Sequence, residues 1–139
     1  MDLLDTLNIA GSGLSAQRVR LQTISSNLAN ARTTRTDQGG PYRRKAPVFV
    51  SEQIDAFGSA LDRELSSVRV DRIEELGGVR MMHDPGHPDA DADGYVAMPD
   101  IDVLAEMVDL MTTARSYEAN VNTVEVTRDM ALRALEIGR

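Results

Sequence analysis

The chain contains no cysteine and no tryptophan, and only three tyrosines and two phenylalanines. Without thiols there is no disulfide, no thiolate metal site and no cysteine nucleophile, and the compartment is not legible from redox chemistry. With so few aromatics a large core would have to be built from Leu, Val, Ile, Met and Ala, which suits helix seams better than a bulky interior. No segment approaches the ~20 consecutive apolar residues of a membrane span. The opening MDLLDTLNIAGSG has neither a basic leader nor an apolar run of signal-peptide length. The expectation is a chain that does not span a membrane and that leaves the cytoplasm, if it does, without a cleaved signal peptide. A net charge of -7 argues against nucleic acid as a partner, since phosphate binding needs a surplus of clustered cations.

What is present is 139 residues, 42% apolar and 27% charged, a foldable composition of single-domain size. Charge is unevenly placed. Residues 18–45 carry seven Arg or Lys against one acid, Asp37, whereas residues 84–109 carry eight acids and no Arg or Lys. Opposite patches on one chain suit subunits that meet through unlike faces; two ordinary solvated surfaces account for them equally well.

The two ends carry the strongest pattern. Leu3, Leu7, Ala10, Leu14, Gln17, Leu21, Ile24 and Leu28 are separated by alternating steps of four and three, broken in character only by Gln17. Val103, Met107, Leu110, Ala114, Tyr117, Val121, Val124, Arg128, Ala131 and Leu135 keep the same rhythm, with Arg128 out of character. Leu104, Val108, Met111 and Leu132 widen the second stripe, so that helix is expected to touch more than one neighbour. The spacing predicts a helix from about Asp2 to about Asn30, with Asn30 offering a left-handed exit. It predicts a second from Asp100 or Asp102, just after Pro99, almost to Gly138. At ~1.5 Å per residue these are roughly 40 Å and over 50 Å long, too long to bury within a globule of this size. Gly11 and Gly13 each cost ~1 kcal/mol in a helix. They mark a bend or a close backbone contact, or more plainly a helix that starts only after Gly13.

Residues 32–47, RTTRTDQGGPYRRKAP, are polar and turn-rich. PVFVSEQ (47–53), SSVRVDRI (66–73), GGVRMMHD (77–84) and GYVAMP (94–99) read as short strands, with a frayed stretch near 54–65. The predicted fold is mainly α with a small β module. Long N- and C-terminal helices (1–31 and 100–139) pair as a coiled coil into one discontinuous inner domain, around a β-rich middle at 32–99.

The segment HPDADADGYVAMPD (87–100) begins like a calcium-binding EF-hand loop, with Asp89, Asp91 and Asp93 at positions 1, 3 and 5 and Gly94 at 6. Position 12 is then Asp100, shorter than the usual glutamate, and position 9 is Ala97, without a side-chain oxygen. Pro85 and Pro88 prevent an entering helix, and Pro99 lies inside the loop. His83 and His87 with Asp84 and Asp89 read as solvated turn residues rather than a zinc site. No phosphate loop, nucleophile elbow or framed carboxylate pair is present, and no catalytic role, cofactor or metal is expected. A calcium-dependent binding module centred on residues 89–100 is the alternative of a different class.

The stretch SGLSAQRVRLQTISSNLANARTT (12–34) resembles the N-terminal signature of bacterial flagellar axial proteins. EMVDLMTTARSYEANVNTVEVTRDMALRALEIG (106–138) is similar to the matching C-terminal signature. GGPYRRKAPVFV and HPDADADGYVAMPDIDVLAEM resemble the proximal rod subunits of the flagellar basal body in particular. The resemblance implies a structural subunit of a hollow helical rod needed for motility, standing in the periplasmic space. It implies as partners other copies of the chain, other flagellar rod subunits, the base-adjacent adaptor and the flagellar type III export apparatus. Asn27, Leu28, Ala29 and Asn30 match the motif at the first helix exit. Glu106, Met107, Arg115, Tyr117, Glu118, Ala119 and Asn120 match it in the second helix.

The expected assembly interface comprises Leu3, Leu7, Leu14, Leu21, Ile24, Asn27, Leu28 and Asn30 on the first helix. On the second it comprises Val103, Met107, Leu110, Ala114, Arg115, Tyr117, Asn120, Val121, Val124 and Leu135. Apolar surface left over by the two helices must be covered by other copies, and unlike faces that do not close produce a tube or filament. The basic arm and the acidic stretch would then face each other across subunits.

Overall fold

The computed structural model describes residues 3–53 and 66–137; the stretch expected to fray lies outside them. Helix α1 is Leu3–Ala29 and helix α2 is Val103–Ile137. Between them stand strands β1 (Lys45–Gln53), β2 (Ser66–Glu75), β3 (Val79–His83) and β4 (Tyr95–Pro99).

Each helix end has a local cause. Asp102 caps α2: its Oδ1 accepts the backbone N–H of Leu104 at 2.9 Å and of Ala105 at 3.2 Å, two of the donors a helix start leaves unpaired. At the other helix, Asn30 Nδ2 donates to the carbonyl of Ser26 at 2.9 Å, and Thr33 Oγ1 donates to Asn30 Oδ1 at 3.1 Å. Asn30 therefore ends α1 through its side chain. The expected left-handed exit is not taken, because among the described residues only glycines have positive φ.

Helix α1 runs unbroken through both glycines, which corrects the reading of a helix starting after Gly13. Gly11 faces open space, whereas a Cβ on Gly13 would lie 2.9 Å from Asn120 Nδ2, so Gly13 lets the second helix approach. Asn27 reaches Glu106 at one end of this contact and Gly13 meets Asn120 further along, so α1 and α2 pack antiparallel.

The predicted period holds, but the face is rotated. On α2 the positions buried wholly or in part include Glu106, Leu110, Thr113, Tyr117, Asn120, Val124, Thr127 and Ala131, again in steps of four and three. This frame shares Leu110, Tyr117, Val124 and Ala131 with the predicted seam and moves every other position back by one. Val103 (43% exposed), Met107 (50%) and Leu135 (71%) consequently lie outside the hairpin, contrary to expectation for an intramolecular seam. The cause is the facing surface: Gly13 accommodates Asn120 and buried Asn27 takes up Glu106, so small and polar residues turn inward. On α1, Ala10 and Ile24 are buried and Leu7, Leu14, Leu21 and Leu28 partly so; the side chain of Leu3 is outside the described part.

Strands β1 and β2 form an antiparallel ribbon from Lys45↔Glu75 to Gln53↔Ser66, with an irregularity between Val48 and Phe49. It lies on α1, where Ser12 Oγ accepts the N–H of Val68 at 3.2 Å. Strands β3 and β4 form a second antiparallel pair from Val79↔Pro99 to His83↔Tyr95. All four predicted strands are present within a few residues of their expected limits. The two ribbons are joined at Leu76, whose N–H bonds the carbonyl of Arg44 at 2.8 Å. Beside it a Cβ on Gly77 would meet Arg44 N at 2.4 Å, a backbone approach that only glycine permits. Among the described residues the buried apolar ones are Ala10, Ala16, Ile24, Tyr42, Val96 and Ile101, a small core.

Candidate assembly interface

At the closed end of the hairpin a polar cluster ties together α1, α2 and the arm between α1 and β1. Asn27 is 1% exposed and Glu106 2% exposed. Asn27 Nδ2 donates to the carbonyl of Lys45 at 2.8 Å and to Glu106 Oε2 at 3.0 Å. Asn27 Oδ1 accepts the hydroxyl of Tyr42 at 3.0 Å and the N–H of Lys45 at 2.9 Å. Both amide protons and both acceptor sites of Asn27 are thus engaged, the full capacity of the side chain. Glu106 receives a second, charged donor from Arg44 Nε at 2.6 Å, so its buried carboxylate is both paired and hydrogen-bonded. The hydroxyls of Ser26 and Tyr42 lie 3.2 Å apart, completing the cluster.

Towards both ends of α2 large apolar side chains stand in solvent. Leu104 (72% exposed), Met107, Val108 and Met111 (58%) form one exposed patch near the start of the helix, and Val126, Met130, Leu132 and Leu135 are exposed nearer its end. For a self-contained hairpin the burial is incomplete: Glu106, Thr113, Asn120 and Thr127 share the inward face with Leu110, Tyr117, Val124 and Ala131, while other Leu, Val and Met side chains stand in solvent. Contiguous exposed apolar surface on such a helix marks an interaction face.

The acidic stretch is the hairpin turn between β3 and β4. Asp91 Oδ1 accepts the N–H groups of Asp93 at 3.0 Å and of Tyr95 at 2.8 Å, and Gly94 turns with φ +80°. Asp89 Oδ2 accepts Thr34 Oγ1 at 2.8 Å. Strands, not helices, flank this loop, and the carboxylate of Asp91 serves the turn itself, which removes the basis of the EF-hand reading. Among the described residues no cluster of three or more His, Asp or Glu is placed to hold a metal ion. The Thr34–Asp89 bond also puts the basic arm beside the acidic turn within one chain, where the expectation had them meeting across subunits.

Comparison with known proteins decides between the remaining readings. Residues 7–35 match the family model described as flagella basal body rod protein, and residues 92–137 match that of the flagellar basal body rod FlgEFG protein C-terminal. The flagellar basal-body rod protein FlgC of Bacillus subtilis is 43% identical, with the whole of both chains covered. The protein of the same name from Salmonella typhimurium is 42% identical over the whole of both, and that of Aquifex aeolicus 40% identical over 98% of this chain and 97% of its own. The chain belongs to the flagellar basal-body rod protein family. It is a structural rod subunit, not an enzyme, and the calcium-module alternative finds no support.

The two matched segments of this rod protein contain Asn27 and Glu106, the helix-borne halves of the polar cluster, while Tyr42 and Arg44 come from the arm between them. Of the residues expected at the interface, Asn27 and Ile24 are buried inside the chain, and Asn120 fills the space over Gly13. Asn30 is spent on the helix end, Arg115 is exposed, and Tyr117, Val121, Val124, Leu110 and Ala114 are partly buried. The structure joins Asn27 to Glu106. Sequence reasoning missed Tyr42 and Arg44 as partners of the cluster. The sequence held no signal for them, since Glu106 lies one residue off the expected seam, which passes through Met107.

Among the described residues no helix is long and apolar enough to cross a membrane.

Proposed function

We propose that this rod subunit builds a hollow helical shaft whose inner layer is the discontinuous unit of residues 1–31 and 100–139. In it the outward stripe of α2 packs against helices of neighbouring subunits in coiled-coil fashion. The neighbours are other copies, other rod subunits and, at the base, the adaptor next to the membrane ring. The chain reaches the periplasmic rod through the flagellar export apparatus without a cleaved signal peptide. As a free chain its terminal helices fluctuate in the turns remote from the polar cluster, because long amphipathic helices without partners are marginal in water, and the ordering of those turns is coupled to docking.

The observation that supports this reading is the exposure of Leu104, Met107, Val108 and Met111 on a helix whose inward face takes in Glu106, Thr113, Asn120 and Thr127. Each such side chain contributes about 1.5–3 kcal/mol when buried and nothing while it stands in water.

The test is the double substitution Leu104→Asp with Met107→Asp. The circular dichroism and thermal midpoint of the isolated chain should be unchanged within about 0.5 kcal/mol, as for surface positions. Recovery in purified basal bodies, and motility, should be lost. Normal incorporation of the double variant would overturn the proposal.

A further inference from the structure

The first turns of α2 and the exposed stripe of α1 carry complementary features that one chain keeps apart. Leu104, Met107, Val108 and Met111 stand in solvent, and the charges around them are acids: no Arg or Lys occurs from residue 81 to residue 114. Glu106 is turned inward to Arg44, but no ion pair among the described residues engages Asp100, Asp102 or Asp109. Asp102 caps the helix with Oδ1, which leaves Oδ2 for another partner.

On α1 the exposed stripe is Asn8, Gly11, Ser15, Arg18, Gln22 and Ser25, in steps of three and four. Its side chains are mostly short and its one charge is Arg18, with Arg20 part-buried nearby. From Thr6 to Thr36 the chain holds four arginines and no acid, and no ion pair among the described residues engages Arg18 or Arg20. Glycine is unfavourable inside a helix. Gly13 has a reason in the approach of Asn120, whereas nothing lies within 4 Å of a Cβ at Gly11. A large side chain brought against Gly11 from outside supplies the reason its own chain lacks.

We infer that the Leu104–Met111 face of one copy docks on the Gly11–Arg18 stretch of α1 in the next copy. Copies that share one orientation bring these helices together antiparallel, with Met111 over Gly11, Met107 over Ser15 and Asp102 beside Arg18 and Arg20. In the same register Arg115, the base that ends the acidic run, falls at the turn that holds Asp5 and Asn8. The occupant is a second copy because α1 offers what this face lacks, bases without acids and short side chains beneath long ones. The exposed group nearer the end of α2 mixes Arg128 and Arg133 with Asp129 and Glu136, so charge does not direct it to Arg18. Within one chain Glu106 is level with Asn27 and Asn120 with Gly13, which puts residues 104–111 beside residues 22–29. Docking on residues 11–18 therefore displaces neighbouring copies by about eleven residues, ~16 Å at ~1.5 Å per residue. Unlike faces joined with such a displacement propagate instead of closing as a dimer. The inference rests on the rod reading and adds to it which face meets which.

The absence of native cysteine makes the test direct. A chain carrying both Ser15→Cys and Met107→Cys is expressed in place of the native chain. Basal bodies are purified and treated with a bismaleimide able to bridge the ~8–10 Å between packed helices. A ladder of dimers, trimers and higher multimers is expected from the double variant, and no cross-linked species from either single variant. Basal bodies that contain the double variant without a ladder, or cross-linked copies of a single variant, would overturn the inference. If the double variant is not incorporated, the fit at Gly11 decides it. Gly11→Leu should leave the thermal midpoint of the isolated chain no lower than the native one, yet reduce recovery in basal bodies at least tenfold. Adding Met111→Ala should restore most of that recovery. Undiminished recovery of Gly11→Leu, or no restoration by Met111→Ala, overturns the inference. Absence of the unsubstituted chain from basal bodies would instead sink the rod reading.

Discussion

Replacing Asn27 by alanine should open the arm that connects the first helix to the β module. The side chain is 1% exposed and saturates both its donor and its acceptor capacity, so its removal strands the N–H and C=O of Lys45 and one oxygen of Glu106. Tyr42 keeps its contact with Ser26 and is not counted. An unsatisfied buried group costs ~1–3 kcal/mol. Taking the Glu106 oxygen near the upper limit and the half-buried Lys45 groups near the lower gives a loss of about 4 kcal/mol. Hydrogen exchange on the isolated chain reads this locally, because the Lys45 amide exchanges only when the cluster opens. At 1.4 kcal/mol per decade its rate should rise by up to about a thousandfold in the variant. Asn27→Asp keeps the shape and both acceptors but sets a carboxylate oxygen 3.0 Å from Glu106 Oε2. It should be at least as damaging, because a second acceptor then stands where the amide donated to Glu106. The reasoning fails if Asn27→Ala changes Lys45 exchange less than about fivefold, a shift of ~1 kcal/mol.

Arg44→Met removes the cation that lies 2.6 Å from a carboxylate only 2% exposed, and should cost about 3 kcal/mol in urea unfolding. Most of that should return when Glu106→Gln is added; an equal loss in the double variant would show that packing, not charge, was removed. Gly77→Ala places a Cβ 2.4 Å from Arg44 N and should lower stability by about 2 kcal/mol, whereas Gly11→Ala meets nothing within 4 Å and should raise it by about 1 kcal/mol. Thermal unfolding of the two glycine variants checks the pair, and midpoints shifted in the opposite order would refute the geometry.

Much of the architecture was readable in advance because it is carried by period. Steps of four and three announced both helices, and alternation such as Ser-Val-Arg-Val-Asp announced β2 and its companions. What period cannot say is which of two adjacent stripes faces inward. A rotation by one residue on α2 exchanges Met107 for Glu106 and Val121 for Asn120, and hydrophobicity favours the wrong choice when the apolar side is reserved for other molecules. The polar cluster was half legible: Asn27 and Glu106 stood in recognisable motifs, but their dependence on Tyr42 and Arg44 is set by the path of the arm. Gly77 could not be distinguished from any other turn glycine, since its neighbour Arg44 is brought to it only by the pairing of β1 with β2.

A heptad repeat is degenerate along its length: slide one helix past the other by seven residues and the stripe looks the same. The amide of Asn27, fixed by Tyr42 and Lys45 of its own arm, breaks that degeneracy, as a single polar residue in a seam can, because in any slipped alignment Glu106, its partner on the other helix, is elsewhere. The hairpin therefore has one notch, and every copy emerges with the same overhang of its longer arm. For a part that must be stacked many times, the junction acts as a gauge that keeps each piece to a single length.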